Sequence, residues 1–596
     1  MEIKSKIKIK EDTAFGVTCR GCAIIILGAF MERYERYLAR NWLCCGVIGL
    51  FALLVWAQTV SYGFVWDDEI LVLRNQSIRS FRNLPAIFSR LDAQSQEAAP
   101  SFRPVRTAFY ALLYALDGKE TPQPWIYHLS SVAWHGAAAM LLFLVALLLW
   151  ERLTGGITTA ARTAALLIAL GFAANPANSE AVCWIKCLDD LMAGVFVLAA
   201  ARAVLKWNGG QRGLWAALGW FLLAAFSKES AAPFAVVVFL LFYGFHKLPW
   251  RRSLHLTVPF LLVALFYAGW RQAVIGRASQ CPPLSGTYGQ TLIDMCPVVT
   301  EYARLLWGIP PFCVDYNYMV AEPPYAFLSG RVLGGLALAL LACGLAVWLW
   351  RRPRWRLTAF GLAWLGLFLL PVSNLIPMMQ YMAERFLYLP MMGFLLALGG
   401  AFLNFSRPRL VAFVAAGVVC AWIMGGVHRM GIWQDGLMLF VQTEYEHPGI
   451  KRVEQNAVAA IFGLPQMEAL YPDYRKTGSV RMADSVTPEQ GEAILRTLEE
   501  ARRLYPENAL LTTDLGFVEA KMGRWPEAVG LLELAVRQKP DSAQYRLNLA
   551  SIYLTTGQTA KAKEACAEAL RLKQEFEDAR SLQAKIESRL NATNAP

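Results

Sequence analysis

The sequence predicts an all-α protein in two parts, a polytopic membrane domain followed by a small α-solenoid. Three observations carry that expectation: 56% of the 596 residues are hydrophobic, long apolar runs recur through the first 430 positions, and positions repeat every 34 residues near the C-terminus. Soluble domains run to roughly 45–50% apolar residues, so the membrane class comes first. The formal net charge of +12 sits mainly in short links between apolar runs, which membrane topology explains without nucleic acid as a partner.

Eleven apolar segments are candidates for membrane helices: residues 42–62, 128–150, 160–176, 191–205, 214–227, 231–245, 254–275, 330–350, 356–373, 386–404 and 410–428. A straight span needs roughly 20 residues. Several fall short, and the pair flanking Ser227-Lys228-Glu229-Ser230 has the length of a re-entrant hairpin. Basic residues resist translocation, and Arg152, Arg162, Arg202, Lys206, Arg212, Lys247, Arg251, Arg252, Arg351, Arg352, Arg354, Arg356, Arg407 and Arg409 all fall in alternate links, with Glu151 the one acid among them. Those links are expected to face the cytoplasm. The opposite links hold mixed charges and two long loops, 63–127 and 276–329. Odd parity places these loops and everything after the last span on the outer side, which is the periplasm for a bacterial inner membrane and the lumen for a eukaryotic one.

The domain division that follows is a basic N-terminal segment at 1–41, the membrane domain at 42–430, a linker at 431–487 and a repeat domain at 488–596. Met31 opens a credible basic start of its own, and residues 1–30 receive no function. In the repeat domain Ala501, Ala535 and Ala569 recur at the 34-residue spacing, as do Pro506 and Pro540, Leu515 and Leu549, Gly523 and Gly557, and Ala528 and Ala562. This is tetratricopeptide spacing. Small residues let the paired helices approach while the leucines fill the seam between units. Twelve scattered cysteines show no zinc-type spacing; Cys281, Cys296 and Cys313 share one outer loop, where a disulfide is an open alternative.

Chemistry concentrates in the outer links. Trp66-Asp67-Asp68-Glu69 puts consecutive carboxylates just beyond the first span. Crowded acids beside a bilayer have raised pKa values, which suits a general base; a solvated acidic cap is the plainer reading. Arg103, Arg106, Lys228 and Arg385 are candidate phosphate ligands, Arg by bidentate bonds and Lys as a point charge. Against that stands pairing with a neighbouring acid such as Glu229 or Glu384. His128 and His135, seven apart, share one helix face; a divalent ion held with Asp67 or Asp68 is one alternative for them, hydrogen bonds to neighbouring helices the other.

Taken in order, a series of stretches resembles the transmembrane and tetratricopeptide-repeat O-mannosyltransferases and their bacterial relatives, a branch of the C-type glycosyltransferase fold. The series is Phe64-Val65-Trp66-Asp67-Asp68 with Asn75; Phe102-Arg103-Pro104; Tyr127-His128 with His135; Asn175-Pro176 with Glu180-Ala181-Val182 and Trp184; Ser227-Lys228-Glu229; Pro371-Val372-Ser373-Asn374; and Ala383-Glu384-Arg385-Phe386-Leu387-Tyr388-Leu389-Pro390. It covers roughly residues 42–445 plus the repeats. The resemblance implies a polyprenyl-phosphate sugar donor, mannose as the first candidate sugar, inversion at the anomeric carbon, and a catalytic role for Asp67 and Asp68. Arg103, Lys228 and Arg385 are then expected on the donor phosphate, with Glu180, Asp190, Glu229, Glu384 and His128 in supporting or acceptor-side positions. The resemblance names no definite cofactor, and a divalent metal stays open.

Two departures matter. Relatives often carry Arg between the Trp and Asp of the third outer link, where this sequence has Leu188; either Lys186 substitutes or the donor pocket differs. The repeat array is also short, which leaves the acceptor open between protein Ser/Thr, a lipid and a cell-envelope glycan. The repeats are expected to bind an extended polypeptide or simply to stabilise the chain, and the Pro- and aromatic-rich stretch from Pro282 to Pro324 to cover the site or guide the acceptor. A membrane scaffold or transporter would instead place acids deep within spans or on discontinuous helices.

Overall fold

The computed structural model describes residues 40–89, 102–276, 283, 285–316, 325–378, 380–436, 439, 492, 495, 496, 498, 499, 502, 503, 506, 509–573 and 576–593. The N-terminal segment before residue 40, most of the expected linker, Ala501 and Cys281 lie outside them. Among the described residues the regular elements are helices, with no strand.

All eleven apolar segments are helical. Among the described residues seven helices are long and apolar enough to cross a membrane: Asn41–Ser61, Pro124–Thr154, Trp250–Ile275, Gly330–Trp350, Pro353–Val372, Glu384–Phe402 and Pro408–Trp433. An eighth is reached if Thr159–Ala174 and Pro176–Cys183, bent by 50°, form one broken span. The expected count of eleven full spans is therefore not reproduced. Leu188–Lys206 carries Asp189 and Asp190 in its first turn, Gln211–Ser227 has 17 residues, and Glu229–Phe245 is a short helix with a π-turn at its end.

Burial sorts the helices. Glu384–Phe402 and Pro124–Thr154 are largely inside the bundle, at 83% and 61% of their apolar stretches, while Gly330–Trp350 and Pro408–Trp433 bury 17% and present Leu, Val and Phe side chains outward, as lipid-facing helices do. The 31 residues of Pro124–Thr154 rise about 46 Å at 1.5 Å each, so this helix extends beyond a hydrocarbon core of roughly 30 Å. Its first residue is Pro, whose missing N–H costs nothing at a helix start, and Gly155 ends it at φ +81°. One close contact joins Arg356–Leu369 to Tyr388–Phe402. A Cβ on Gly361 would lie 2.3 Å from the Ala397 nitrogen, and one on Gly393 2.6 Å from that of Leu365, so glycine lets the two backbones touch.

Among the described residues, the two long loops expected on the outer side contain helices at Pro104–Asp117 and Tyr288–Leu306. In the repeat domain Ala509–Lys521 pairs with Trp525–Gln538 and Ala543–Thr555 with Thr559–Leu572, followed by Glu577–Thr593. Ala528, Ala535, Ala562 and Ala569 are fully buried at the helix crossings. Gly523 and Gly557 turn each pair at φ +76° and +78°, the left-handed region in which other residues are strained.

Candidate active site

The chain leaves the first span through a turn tied down at several points. The Gly63 N–H donates to the Gln434 carbonyl at 2.9 Å, and the Gly63 carbonyl meets His128 Nε2 at 3.1 Å. Trp66 then takes φ +54°, a conformation costing a non-glycine residue about 1–2 kcal/mol that holds only where surrounding contacts impose it. The contact is visible: the Trp66 indole lies flat on Trp184 at 4.7 Å and 9°, and Trp184 stacks on the fully buried Trp433 at 5.8 Å. Three separate outer segments thus meet in one aromatic column.

The turn points its two acids differently. Asp68 is fully buried and accepts the backbone N–H of Val65 at 3.1 Å and of Lys186 at 2.9 Å, joining the first outer loop to the link before Leu188. Burial pushes its carboxyl up to about 8, against the pull of these two bonds. The Asp67 side chain keeps 25% of its surface and pairs with the Lys186 ammonium, itself 23% exposed. That ammonium stands 4.5 Å from the Trp184 ring centre, with the Arg385 guanidinium 5.2 Å from the same ring. Burial lowers the Lys186 pKa and Arg385 adds to the effect, while Asp67 opposes it.

Beside this turn lie buried ion pairs. Asp189 receives Arg103 at 2.5 Å, Arg106 at 3.1 Å and Lys228 at 3.2 Å. Lys228 also pairs with Asp190, and Arg103 with Glu229 at 2.9 Å. Glu180, on the short second half of the bent pair, pairs with the Arg385 guanidinium and accepts the Arg385 N–H at 2.9 Å. Glu384 takes Arg429 at 2.8 Å and the Tyr316 hydroxyl at 2.8 Å. Buried ions cost several kcal/mol apiece unless paired, which is why acids and bases occur here in near balance.

The structure thus brings Asp67, Asp68 and Arg385 around Lys186 and Trp184, and Arg103, Lys228, Asp190 and Glu229 around Asp189. The expected local pairs form only in part: Lys228 bonds Asp189 and Asp190 instead of Glu229, and Arg385 bonds Glu180 instead of Glu384. The two histidines do not share a site, since His135 meets the Tyr388 hydroxyl at 3.0 Å and the Ala173 carbonyl at 3.3 Å. Among the described residues no three His, Cys, Asp or Glu side chains gather as metal ligands. Cys296 and Cys313 are both free thiols. Sequence reasoning missed Arg429, Tyr316 and Trp433; a lone Arg in the last turn of an apolar span was the available signal for the first.

Sequence comparison finds relatives for both parts of the chain. A tetratricopeptide-repeat family model matches residues 520–586. The chain is 22% identical over 601 aligned positions to the Protein O-mannosyl-transferase TMTC3 of Mus musculus, covering 88% of this chain and 63% of that protein. Over most of its length the chain is similar to the TMTC proteins. The TMTC3 of Homo sapiens is likewise 22% identical, over 88% of this chain and 64% of its own length, and the Protein O-mannosyl-transferase TMTC4 of Mus musculus is 24% identical over 66% of this chain and 60% of its own. The chain thus spans less than two thirds of the length of these curated relatives.

Proposed function

We propose that this integral membrane protein is an inverting glycosyltransferase that moves a hexosyl group, mannose first among the candidates, from a polyprenyl-phosphate donor to a Ser or Thr hydroxyl of a protein. The observation that carries the reading is a water-reaching carboxylate, Asp67, set by an anchored turn beside a layer of buried cations. The names of the relatives, protein O-mannosyl-transferases, support mannose and a protein acceptor.

In this reading the acceptor oxygen attacks the anomeric carbon from the face opposite the lipid phosphate, and Asp67 takes the hydroxyl proton. The bond between that carbon and the phosphate oxygen breaks with its electron pair staying on the polyprenyl phosphate, so one displacement inverts the centre. Asp68 acts through the turn, fixing Asp67 by its two backbone bonds. Arg103, Lys228 and Arg385 supply positive potential for the departing phosphate; preorganised donors of this kind are worth about 2.7–4 kcal/mol each in other enzymes. Glu180, Asp190, Glu229 and Glu384 hold these cations and their neighbour Arg429 in place, while His128 secures the turn through Gly63. The site faces the periplasm of a bacterial inner membrane or a eukaryotic lumen, and the repeats take the extended acceptor polypeptide.

Turnover by purified protein in lipid, with a panel of radiolabelled polyprenyl-phosphate sugars and an envelope extract as acceptor, tests the reading. Consumption of one donor, reduced at least about a hundredfold in Asp67→Asn, is expected. Loss of that turnover with a chelator would add a divalent ion to the mechanism, and label found on lipid or glycan would move the acceptor. No consumption of any donor by folded protein, or near-normal turnover by Asp67→Asn, overturns it.

A further inference from the structure

The step written above shifts one unit of negative charge. Before transfer the charges are on Asp67 and on the singly charged phosphodiester; afterwards Asp67 is neutral and the released phosphate monoester carries two. A cation able to serve both places would follow the charge, and Lys186 has the position for it. Its backbone is pinned, since its N–H is bound by Asp68 at 2.9 Å, while its ammonium, on a flexible four-carbon stem, stands over the Trp184 ring, a surface along which a cation moves at little loss.

Accessibility separates Lys186 from the other cations. Its side chain keeps 23% of its surface, against 14% for Arg103, 10% for Arg385 and 6% for Lys228. Arg103 bridges Asp189 and Glu229, and Lys228 bridges Asp189 and Asp190, so drawing either onto an anion strips two acids at once. Drawing Lys186 away takes its ion-pair partner from one acid, Asp67. The charged groups around Lys186 are Asp67, Asp68 and Arg385, with the Cys187 thiol adjacent, and Arg385 over the same indole gives an incoming phosphate a second cation.

We infer that Lys186 guards the base: it holds Asp67 while the donor site is empty and moves to the phosphate when a polyprenyl-phosphate sugar is seated, releasing Asp67 to accept the acceptor's proton. The inference rests on the polyprenyl-phosphate reading and adds to it an order of events, donor before acceptor. A water molecule entering the empty site meets a carboxylate already engaged.

The test is the affinity of polyprenyl phosphate alone, the released product, in zwitterionic vesicles. Wild type, Asp67→Asn, Lys186→Met and the double variant are compared. Because wild type must break the Lys186–Asp67 pair to bind, Asp67→Asn binds about fivefold more tightly, the equivalent of a partly exposed ion pair. Lys186→Met binds more weakly than wild type, Lys186→Arg recovers part of the loss, and the double variant matches Lys186→Met. Equal binding by wild type and Asp67→Asn overturns the inference while leaving the transferase reading intact, as does tightening by Asp67→Asn that persists without Lys186. If Lys186→Met fails to fold, equal binding by wild type and Asp67→Asn still overturns the inference. Absence of polyprenyl-phosphate binding in every protein overturns the transferase reading itself.

Discussion

Replacing Asp189 by Asn removes one charge from the most crowded ion cluster of the membrane domain. Asp189 is 1% exposed and faces Arg103 at 2.5 Å, Arg106 at 3.1 Å and Lys228 at 3.2 Å. Without its charge, Arg103 still has Glu229 and Lys228 still has Asp190. Arg106, with 3% of its side chain exposed, loses the carboxylate it is bonded to. Stranding a buried charge in this way costs about 3–5 kcal/mol, so Asp189→Asn should unfold at clearly lower denaturant in detergent, followed by tryptophan fluorescence. Adding Arg106→Met removes the stranded guanidinium and should recover most of the loss, because an apolar side chain of similar length needs no counter-ion. A single variant within about 1 kcal/mol of wild type, the worth of an exposed pair, would refute the argument that Asp189 is the charge on which the cluster depends.

Other expectations follow from the same contacts. Burial holds the Asp68 carboxyl at about 8 in the folded protein against about 3.9 in an unfolded chain; the unfolded state therefore loses its proton first, and stability attributable to Asp68 falls as pH rises from about 4 to about 8 and then levels. Unfolding midpoints at pH 5 and pH 8 should differ more for wild type than for Asp68→Asn. Gly361→Leu should prevent normal packing, since even a Cβ would stand 2.3 Å from the Ala397 nitrogen, and a monodisperse, fully folded product on gel filtration would contradict it. Gly523→Ala places a side chain at φ +76° and should cost about 1–2 kcal/mol, read as faster amide exchange in Ala509–Lys521 and Trp525–Gln538 of the full chain.

The spans were legible because a bilayer crossing demands an apolar run of known length, and the repeats because a left-handed turn every 34 residues calls for Gly523 and Gly557. The acidic pair was legible as a motif, but the different fates of Asp67 and Asp68 were not; neighbours in sequence point different ways, and only the tertiary partner decides which is buried. Ion pairing failed for the same reason. Lys228 adjoins Glu229 yet bonds acids 38 and 39 residues away, and Arg385 adjoins Glu384 yet bonds Glu180 at 205 residues. Adjacent side chains rarely face each other, whereas helices packed side by side bring distant ones together. The helices at Pro104–Asp117 and Tyr288–Leu306 passed as loops because their apolar residues line one face in place of a continuous run.

The Trp66–Trp184 stack also gives the site an optical signature. Two indoles 4.7 Å apart and 9° from parallel are close enough for their strong ultraviolet transitions to couple, so light absorbed by one is shared with the other. Circular dichroism senses that sharing, and the difference between wild type and Trp66→Phe isolates it from the other tryptophans among the 20 in the chain. Because Trp66 immediately precedes the acidic pair, the amplitude of that difference registers whether the turn is assembled in a given detergent, lipid or variant, before any sugar is added.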